Sequence, residues 1–114
     1  MSVSFSGIGE LAVTFKTDGA VTAGSPVKMK SNGTVTACAA GDKFCGAALA
    51  VSDDNHATIQ IGGYTVCTYD GTAPTVGFGI IAAAGDGKIK TAEDGRECLI
   101  VDVDETQKTV GFYM

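Results

Sequence analysis

Alternation of apolar and polar side chains is the main pattern along this chain. Leu11, Val13 and Phe15 occupy every second position of residues 10–16, and residues 26–30 alternate in the same way. A period of two places successive side chains on opposite faces of a β-strand. The pattern therefore predicts a series of short strands, each with one apolar face.

Other segments are apolar without interruption. Residues 44–51 form one such run, which indicates a strand covered on both faces. Residues 98–104 begin apolar and end in alternation, as expected of a strand that leaves the core. Residues 76–83 form a third run, interrupted by Gly77 and Gly79, and glycines inside a strand usually mark a bulge or a close backbone approach.

A short sequence motif, in which a turn is followed by a strand, is repeated along the chain. Residues 32–37 (Asn-Gly-Thr-Val-Thr-Ala) are echoed by residues 86–91 (Asp-Gly-Lys-Ile-Lys-Thr), and residues 18–24 carry a shortened copy. Asp/Asn-Gly pairs suit tight hairpins because both residues tolerate positive φ, which a type I′ turn requires. The five such pairs begin at Asp18, Asn32, Asp70, Asp86 and Asp94. We therefore expect hairpins at these places.

These patterns predict an all-β fold. We expect one small domain over residues 10–114, a β-sandwich or β-barrel of about ten short strands. Because no window sustains helical spacing for three turns, helix should be limited to one or two single turns, near Ala39 and Ala92. Residues 1–9 are small and polar and are predicted to be a flexible arm. The apolar side chains of this arm are Val3, Phe5 and Ile8.

Length and charge limit the function classes. The 114 residues are enough for one core without metal or disulfide staples, and the net charge is −5 with the eight basic residues scattered. Scattered cations cannot follow a phosphate backbone, so nucleic-acid binding is not expected. No apolar run is long enough to span a bilayer, and residues 1–5 lack the features of a signal peptide. We expect the protein to stay in the cytoplasm where it is made, with no membrane contact.

The four cysteines show no metal-binding spacing. Cys38, Cys45, Cys67 and Cys98 contain no CxxC pair and no zinc-ribbon pattern. The last three lie in predicted strands, where a thiol serves as a small apolar side chain. We expect buried free thiols, with a structural disulfide as the alternative.

No catalytic, cofactor or metal site is predicted. His56 is the only histidine and follows two aspartates, but general-base chemistry needs an orienting partner and a nucleophile as well. Asp102 and Asp104 alternate with valines, which indicates the solvated face of a strand rather than a cation site that includes Glu105. Lys28-Met29-Lys30 is a weak match to a biotin-carrier hairpin, because residues 31–33 would occupy the tip. We expect no enzyme and no cofactor.

Five segments of the chain are turn and packing motifs that recur together in one family. They are residues 21–27 (Val-Thr-Ala-Gly-Ser-Pro-Val), 32–35 (Asn-Gly-Thr-Val), 44–48 (Phe-Cys-Gly-Ala-Ala), 71–79 (Gly-Thr-Ala-Pro-Thr-Val-Gly-Phe-Gly) and 95–104 (Gly-Arg-Glu-Cys-Leu-Ile-Val-Asp-Val-Asp). With these motifs the chain resembles the small capsid decoration (cement) proteins of tailed bacteriophages and prophages. The resemblance covers most of the chain, from about Val13 to Phe112, and none of its motifs is a catalytic signature.

This resemblance implies a structural role on a phage head. The partner would be the major capsid protein, bound on the outer surface of the assembled virion, and the protein would be a homotrimer at local three-fold positions. A head-binding protein needs a self-contact and an edge or arm for the capsid. We assign the capsid contact to the arm residues Val3, Phe5 and Ile8. The oligomer interface is assigned to Val76, Gly77, Phe78, Gly79 and Ile80.

A second hypothesis for the function stays open. A non-viral β module that binds a protein or a carbohydrate without catalysis would also lack an active site. Such a module is expected to be a monomer with an exposed aromatic patch.

Overall fold

The computed structural model describes residues 11–114, and it is all-β, as predicted. The predicted arm with Val3, Phe5 and Ile8 lies outside the described residues. No helix occurs within residues 11–114; Ala39 accepts a turn hydrogen bond from the N–H of Asp42 (3.1 Å) and Ala92 lies beside a bend. The strands are β1 (Leu11–Thr17), β2 (Pro26–Ser31), β3 (Thr34–Ala37), β4 (Gly46–Val51), β5 (His56–Gly62), β6 (Tyr64–Thr68), β7 (Gly77–Gly85), β8 (Lys88–Thr91), β9 (Arg96–Asp104) and β10 (Thr109–Tyr113).

The first five strands close a barrel. Their order is β1-β3-β2-β4-β5, and β5 returns to pair with β1. The β1–β3 pair is parallel, with Lys16 opposite Thr34 and Thr17 opposite Val35, whereas the other neighbours are antiparallel. The choice between sandwich and barrel, which the sequence left open, is resolved in favour of a barrel for this half.

The last five strands repeat the same topology. Their order is β6-β10-β9-β7-β8, and a parallel bridge between Tyr69 and Ile89 brings the end of β6 back to β8. Each strand thus has the neighbours of the strand five places earlier. The N–H of Asp18 donates to Val35 O (2.9 Å), and the N–H of Asp70 donates to Ile89 O (2.8 Å) in the same way. The repeated motif therefore corresponds to two equivalent hairpins, β2–β3 and β7–β8.

A second pair of hydrogen bonds supports this equivalence. The N–H of Thr17 donates to Asn55 O (2.9 Å), and the N–H of Tyr69 donates to Lys108 O (3.0 Å). Asn55 and Lys108 both have positive φ, 63° and 56°, which is uncommon for residues other than glycine. The two halves thus share backbone detail as well as strand order.

Only one of the five Asp/Asn-Gly pairs has the backbone of a type I′ turn. Asp86 and Gly87 both have positive φ (53° and 75°) between the paired Gly85 and Lys88. At the other four pairs the first residue does not have positive φ. Asn32 still lies in a hairpin, but the strands on either side of Asp18, Asp70 and Asp94 are not paired with each other, so the expectation of hairpins at these three places is wrong. In the β2–β3 hairpin a register shift before Ser31 supplies the extra residue that a bulged turn needs.

The expectation that residues 44–51 form a strand covered on both faces is also wrong. The strand begins at Gly46, where a Cβ would collide with the carbonyl oxygen of Gln60, and its first three residues are buried. Residues 49–51 are exposed. Because β2 pairs with only the first two residues of β4, the remaining residues of β4 extend beyond the end of β2.

The junction between the halves is held by side chains that cross it. Phe44 precedes β4 in the first half but packs in the core of the second, with its ring 6.2 Å from that of Phe112. In the opposite direction, Arg96 of β9 donates hydrogen bonds to Cys45 O (2.8 Å) and Ile61 O (3.4 Å). The first half therefore contributes a side chain to the core of the second, and the second half supplies hydrogen-bond donors to carbonyls of the first.

A buried glutamine fixes the connection from β5 to β6. Gln60 is 2% exposed, and its Nε2 donates to Gly62 O (3.1 Å) and Tyr64 O (2.6 Å). The carbonyls that the turn withdraws from the ladder are thus satisfied, which a buried position requires. Gly63 lies at this turn with φ +91°, a conformation that favours glycine.

The crossing hydrogen bonds of Arg96 predict a specific loss of stability. We expect Arg96→Met to lower the free energy of unfolding by about 1.5–3 kcal/mol, the usual effect of losing hydrogen bonds from a charged group. Urea denaturation measures the change. Lys43→Met is the matched control, because Lys43 pairs with Asp94 through largely exposed side chains and should change stability by less than about 1 kcal/mol. Equal losses in the two variants would contradict the proposed role of Arg96.

Candidate interaction surface

The two halves differ most in one ladder. The strands β2 and β4 share two residue pairs, whereas β7 and β9 share five. Aligning buried Val27 of β2 with buried Ile81 of β7 leaves three extra pairs in the second half. We call these pairs, residues 77–79 with residues 98–100, the β7–β9 extension. It is an addition to the repeated topology.

The β7–β9 extension and Val76, which directly precedes it, carry the two most exposed large apolar side chains of the described residues. Phe78 is 76% exposed and the preceding Val76 is 63% exposed. The other described aromatic side chains are buried or half-buried. An exposed aromatic residue on a paired strand presents apolar area with little loss of freedom on binding.

The local structure explains why Gly77 and Gly79 are glycines. Gly77 has φ +118°, which residues with a side chain rarely adopt. A Cβ on Gly79 would lie 3.1 Å from Ile100 Cδ1, so its lack of a side chain makes room for this protein's own isoleucine. Close approach of a second backbone, which the sequence suggests for both glycines, is not needed to explain them. Ile80 is half-buried next to the extension.

A cleft of about 620 Å³ lies beside the extension. Its lining includes Phe78, Ile80 and Ile100 from the sheet and Ala73 from the loop that follows β6. Lys90 also lines it. The surface formed by Val76, Phe78 and this cleft is the candidate functional site, and we call it the Phe78 surface. Its chemistry is suited to binding an apolar group.

The histidine identified in the sequence, His56, is the first residue of β5 and directly follows the β4–β5 turn. Its Nδ1 lies 3.0 Å from Asp54 O, and the Ser52 hydroxyl lies within hydrogen-bond distance of the Asp54 carboxylate and of His56 O. The bond from Ser52 holds the pKa of Asp54 below its usual value. Ser52 contacts the carbonyl of His56 and not its ring, so the three residues stabilise the turn and do not form a nucleophile–base pair.

The acidic residues near the end of β9 also have a local role. Asp104 Oδ1 accepts hydrogen bonds from the N–H groups of Thr106 (2.9 Å) and Gln107 (3.1 Å) in the β9–β10 turn. Asp102 and Glu105 are exposed. Among residues 11–114 no group of three or more His, Cys, Asp or Glu side chains is arranged to hold a metal ion.

Lys28 and Asp42 form an ion pair between β2 and the loop before β4. Lys28 Nζ lies 2.6 Å from Asp42 Oδ2, which also accepts the N–H of Ala39 (2.8 Å). The hydrogen bond from Lys28 lowers the pKa of Asp42, and the same bond raises the pKa of Lys28. Lys28 therefore lies within a strand and is paired, unlike the hairpin-tip lysine of a carrier domain. Lys30 pairs with Asp18.

All four cysteines are free thiols, as predicted. Cys67 and Cys98 are buried, but Cys38 and Cys45 are half-buried, and Cys45 lies one residue before β4 rather than inside it. Burial raises the pKa of Cys67 to about 12 and that of Cys38 to about 11. Thiols with such pKa values are poor nucleophiles at neutral pH.

Comparison of the sequence with protein-family models and with curated proteins finds no match. No helix within residues 11–114 has the length and apolar character to cross a membrane.

The Lys28–Asp42 pair predicts a pH-dependent effect. The folded state favours charged Asp42, so this stabilisation is present above the usual carboxyl pKa of 3.8 and is lost as the pH falls through the lower folded value. It is also lost as the pH rises through the raised pKa of Lys28, above 10.5. We expect Asp42→Asn to lower the urea midpoint at pH 7, and we expect the difference from wild type to shrink as the pH falls below 3.8 and as it rises above 10.5.

Asp94→Asn is the control for this experiment, because it removes a pair whose carboxylate side chain is 87% exposed. It should have little effect at any pH. A difference between Asp42→Asn and wild type that stays constant from acid to alkali would show that charge pairing is not the cause.

Proposed function

We propose that this protein is a capsid decoration protein of a tailed phage or prophage. It would bind the major capsid protein on the outer surface of the assembled head and stabilise that head as a homotrimer at local three-fold positions. The resemblance of its turn and strand motifs to this family supports the proposal. So does the use of its polar clusters in turns, because a structural protein depends on rigidity and contact surfaces.

The observation that carries the proposal is the exposure of Phe78 on the β7–β9 extension. Exposed apolar area on a soluble protein marks an interaction site when it is contiguous. Here Phe78 itself lines the adjoining cleft, at the place where the second half departs from the repeated topology, and Val76 is exposed two residues earlier. An aromatic side chain beside an apolar cleft has the chemistry of an interface hot spot.

A three-fold contact is heterologous, so each subunit must present two different patches. In the proposed trimer, Phe78 of each copy contacts the next copy around the ring. The cleft of the same copy, lined by Ile80 and Ile100, receives an apolar group from the remaining copy. This arrangement closes a ring and covers all three Phe78 side chains. It needs no charged group at its centre.

The capsid contact is proposed for the arm, residues 2–9. The described part of the chain begins at Leu11, which pairs with Gly62 where the two halves meet. The N–H of Met114 donates to Gly63 O (3.0 Å), so both ends of this part lie at the junction. Adding a strand to a neighbouring sheet edge is a common mode of peptide recognition, and it is the mode proposed for this contact.

Removing the aromatic ring tests the interface. We expect the purified protein to have about three times its monomer mass of 11.5 kDa in light scattering. Phe78→Ser should give a monomer with an unchanged fold, because the exposed ring makes few contacts within its own subunit. Val66→Ser is the control, since Val66 is 50% exposed on a different strand and should leave the trimer intact.

The same measurement separates the two function classes. Phe78 beside a cleft is also what a monomeric binding module would present. A wild type that stays monomeric in light scattering and does not bind phage heads would contradict the proposed function and favour that module.

Deleting the arm tests the capsid contact. We expect a variant lacking residues 2–9 to keep its circular dichroism spectrum and urea midpoint but to stop co-sedimenting with heads of the encoding phage. Full-length protein on the same heads is the positive control. A truncated protein that still decorates heads would exclude the arm as the anchor.

A further inference from the structure

The chain has two asparagines, Asn32 and Asn55, and only Asn32 precedes a glycine. Asn32 is exposed in the turn between β2 and β3. We propose that Asn32 is a site of spontaneous modification, at which the folded protein converts asparagine through a succinimide to aspartate and isoaspartate. Water is the only reagent required.

The reaction is an attack of the backbone on the neighbouring carboxamide. The Gly33 amide loses its proton to solvent base, and its nitrogen forms a bond to Asn32 Cγ. The bond between Cγ and Nδ2 of Asn32 then breaks, and Nδ2 leaves as ammonia after gaining a proton. Water next opens the five-membered imide at either carbonyl, giving aspartate or isoaspartate. The net change is a carboxamide and water going to a carboxylate and ammonium, with no oxidation or reduction.

The structure leaves the attacking nitrogen accessible. Gly33 is exposed, and a Cβ placed on it would have no atom within 4 Å, so the space beside its Cα is open. Gly33 lies outside the paired strands, and no described residue accepts a backbone hydrogen bond from its N–H. Glycine also lacks the side chain that would obstruct ring closure. The Gly33 N–H therefore makes no backbone hydrogen bond to a described residue that would hold the nitrogen away from Cγ.

A neighbouring hydroxyl favours the first step. Thr34 Oγ1 lies 3.3 Å from Asn32 O and donates to it. This oxygen belongs to the peptide that must lose its proton, and negative charge develops on it when the N–H is removed. A hydrogen bond to a developing oxyanion stabilises it, by the same physical effect that operates in an oxyanion hole.

Asn55 provides an internal comparison. The next residue is His56, which begins β5, and its ring is held near Asp54 O. Both the side chain of His56 and its place in the strand oppose the rearrangement that ring closure needs. The fold therefore predicts conversion at Asn32 and not at Asn55.

Aspartate and isoaspartate at position 32 should affect the stability of the fold differently. Gly33 O accepts the N–H of Lys16 (2.9 Å), one of the bonds that join β1 to β3 and close the first barrel. Isoaspartate inserts one extra methylene into the main chain just before this carbonyl, which displaces it. Normally linked aspartate does not lengthen the backbone, and Asp86 occupies the equivalent place in the second half. The isoaspartate form should therefore lose stability, whereas Asn32→Asp should not.

Peptide mapping of the folded protein, incubated at mildly alkaline pH, tests the proposal. We expect the peptide with Asn32 to gain one mass unit and to split into aspartate and isoaspartate forms, with a matching acidic band in isoelectric focusing. The peptide with Asn55 should stay unchanged. Asn32→Gln is the control that should remove the acidic band, and Asn32→Asp should keep its urea midpoint while aged wild type loses part of its own.

Two results would overturn the inference. The rate of Asn32 conversion in a short peptide of residues 28–37 serves as the reference rate in the absence of the fold. Conversion in the folded protein that is slower than in this peptide by more than an order of magnitude would show that the turn protects Asn32. Conversion at Asn55 as fast as at Asn32 would show that the local structure does not select the site.

Discussion

Joining the closed barrel to the second five-stranded sheet leaves main-chain carbonyls at the junction in need of donors, and this protein satisfies them with side chains. Arg96 donates to Cys45 O and Ile61 O across the junction, and the amide of Gln60 donates to the carbonyls on either side of Gly63. Buried carbonyls without donors would cost free energy at the place where both halves meet. Because Phe44 also crosses to fill the second core, neither half is a complete packing unit alone.

The repeated topology explains much of the structure and makes its exceptions visible. Equivalent hydrogen bonds at Asp18 and Asp70 fix the same crossover in both halves. Against this background, the three extra pairs of the β7–β9 extension need a separate explanation, since they present Phe78 to solvent. An interaction surface is the explanation that agrees with an exposed aromatic side chain beside a cleft.

The polar residues that suggested chemistry have structural partners instead. Ser52, Asp54 and His56 stabilise one turn, Asp104 stabilises another, and Asp42 joins Lys28 to the loop before β4. A fold built from hairpins has many chain reversals, each of which needs hydrogen-bond acceptors for free N–H groups. Short acidic side chains meet this need, which is why they gather in turns without forming a site.

The order of amino acids is sufficient to predict the features that depend on neighbouring residues. Alternation at Leu11, Val13 and Phe15 predicts a strand, and the repeated motif predicts equivalent hairpins, because side-chain period and turn conformation are local properties. Contacts between distant segments set the order of the strands, the closure of the first barrel and the transfer of Phe44 into the second core. They also leave Phe78, apolar and inside a strand, facing solvent. Periodicity tells which residues share a face, but only pairing between distant strands decides which faces are covered.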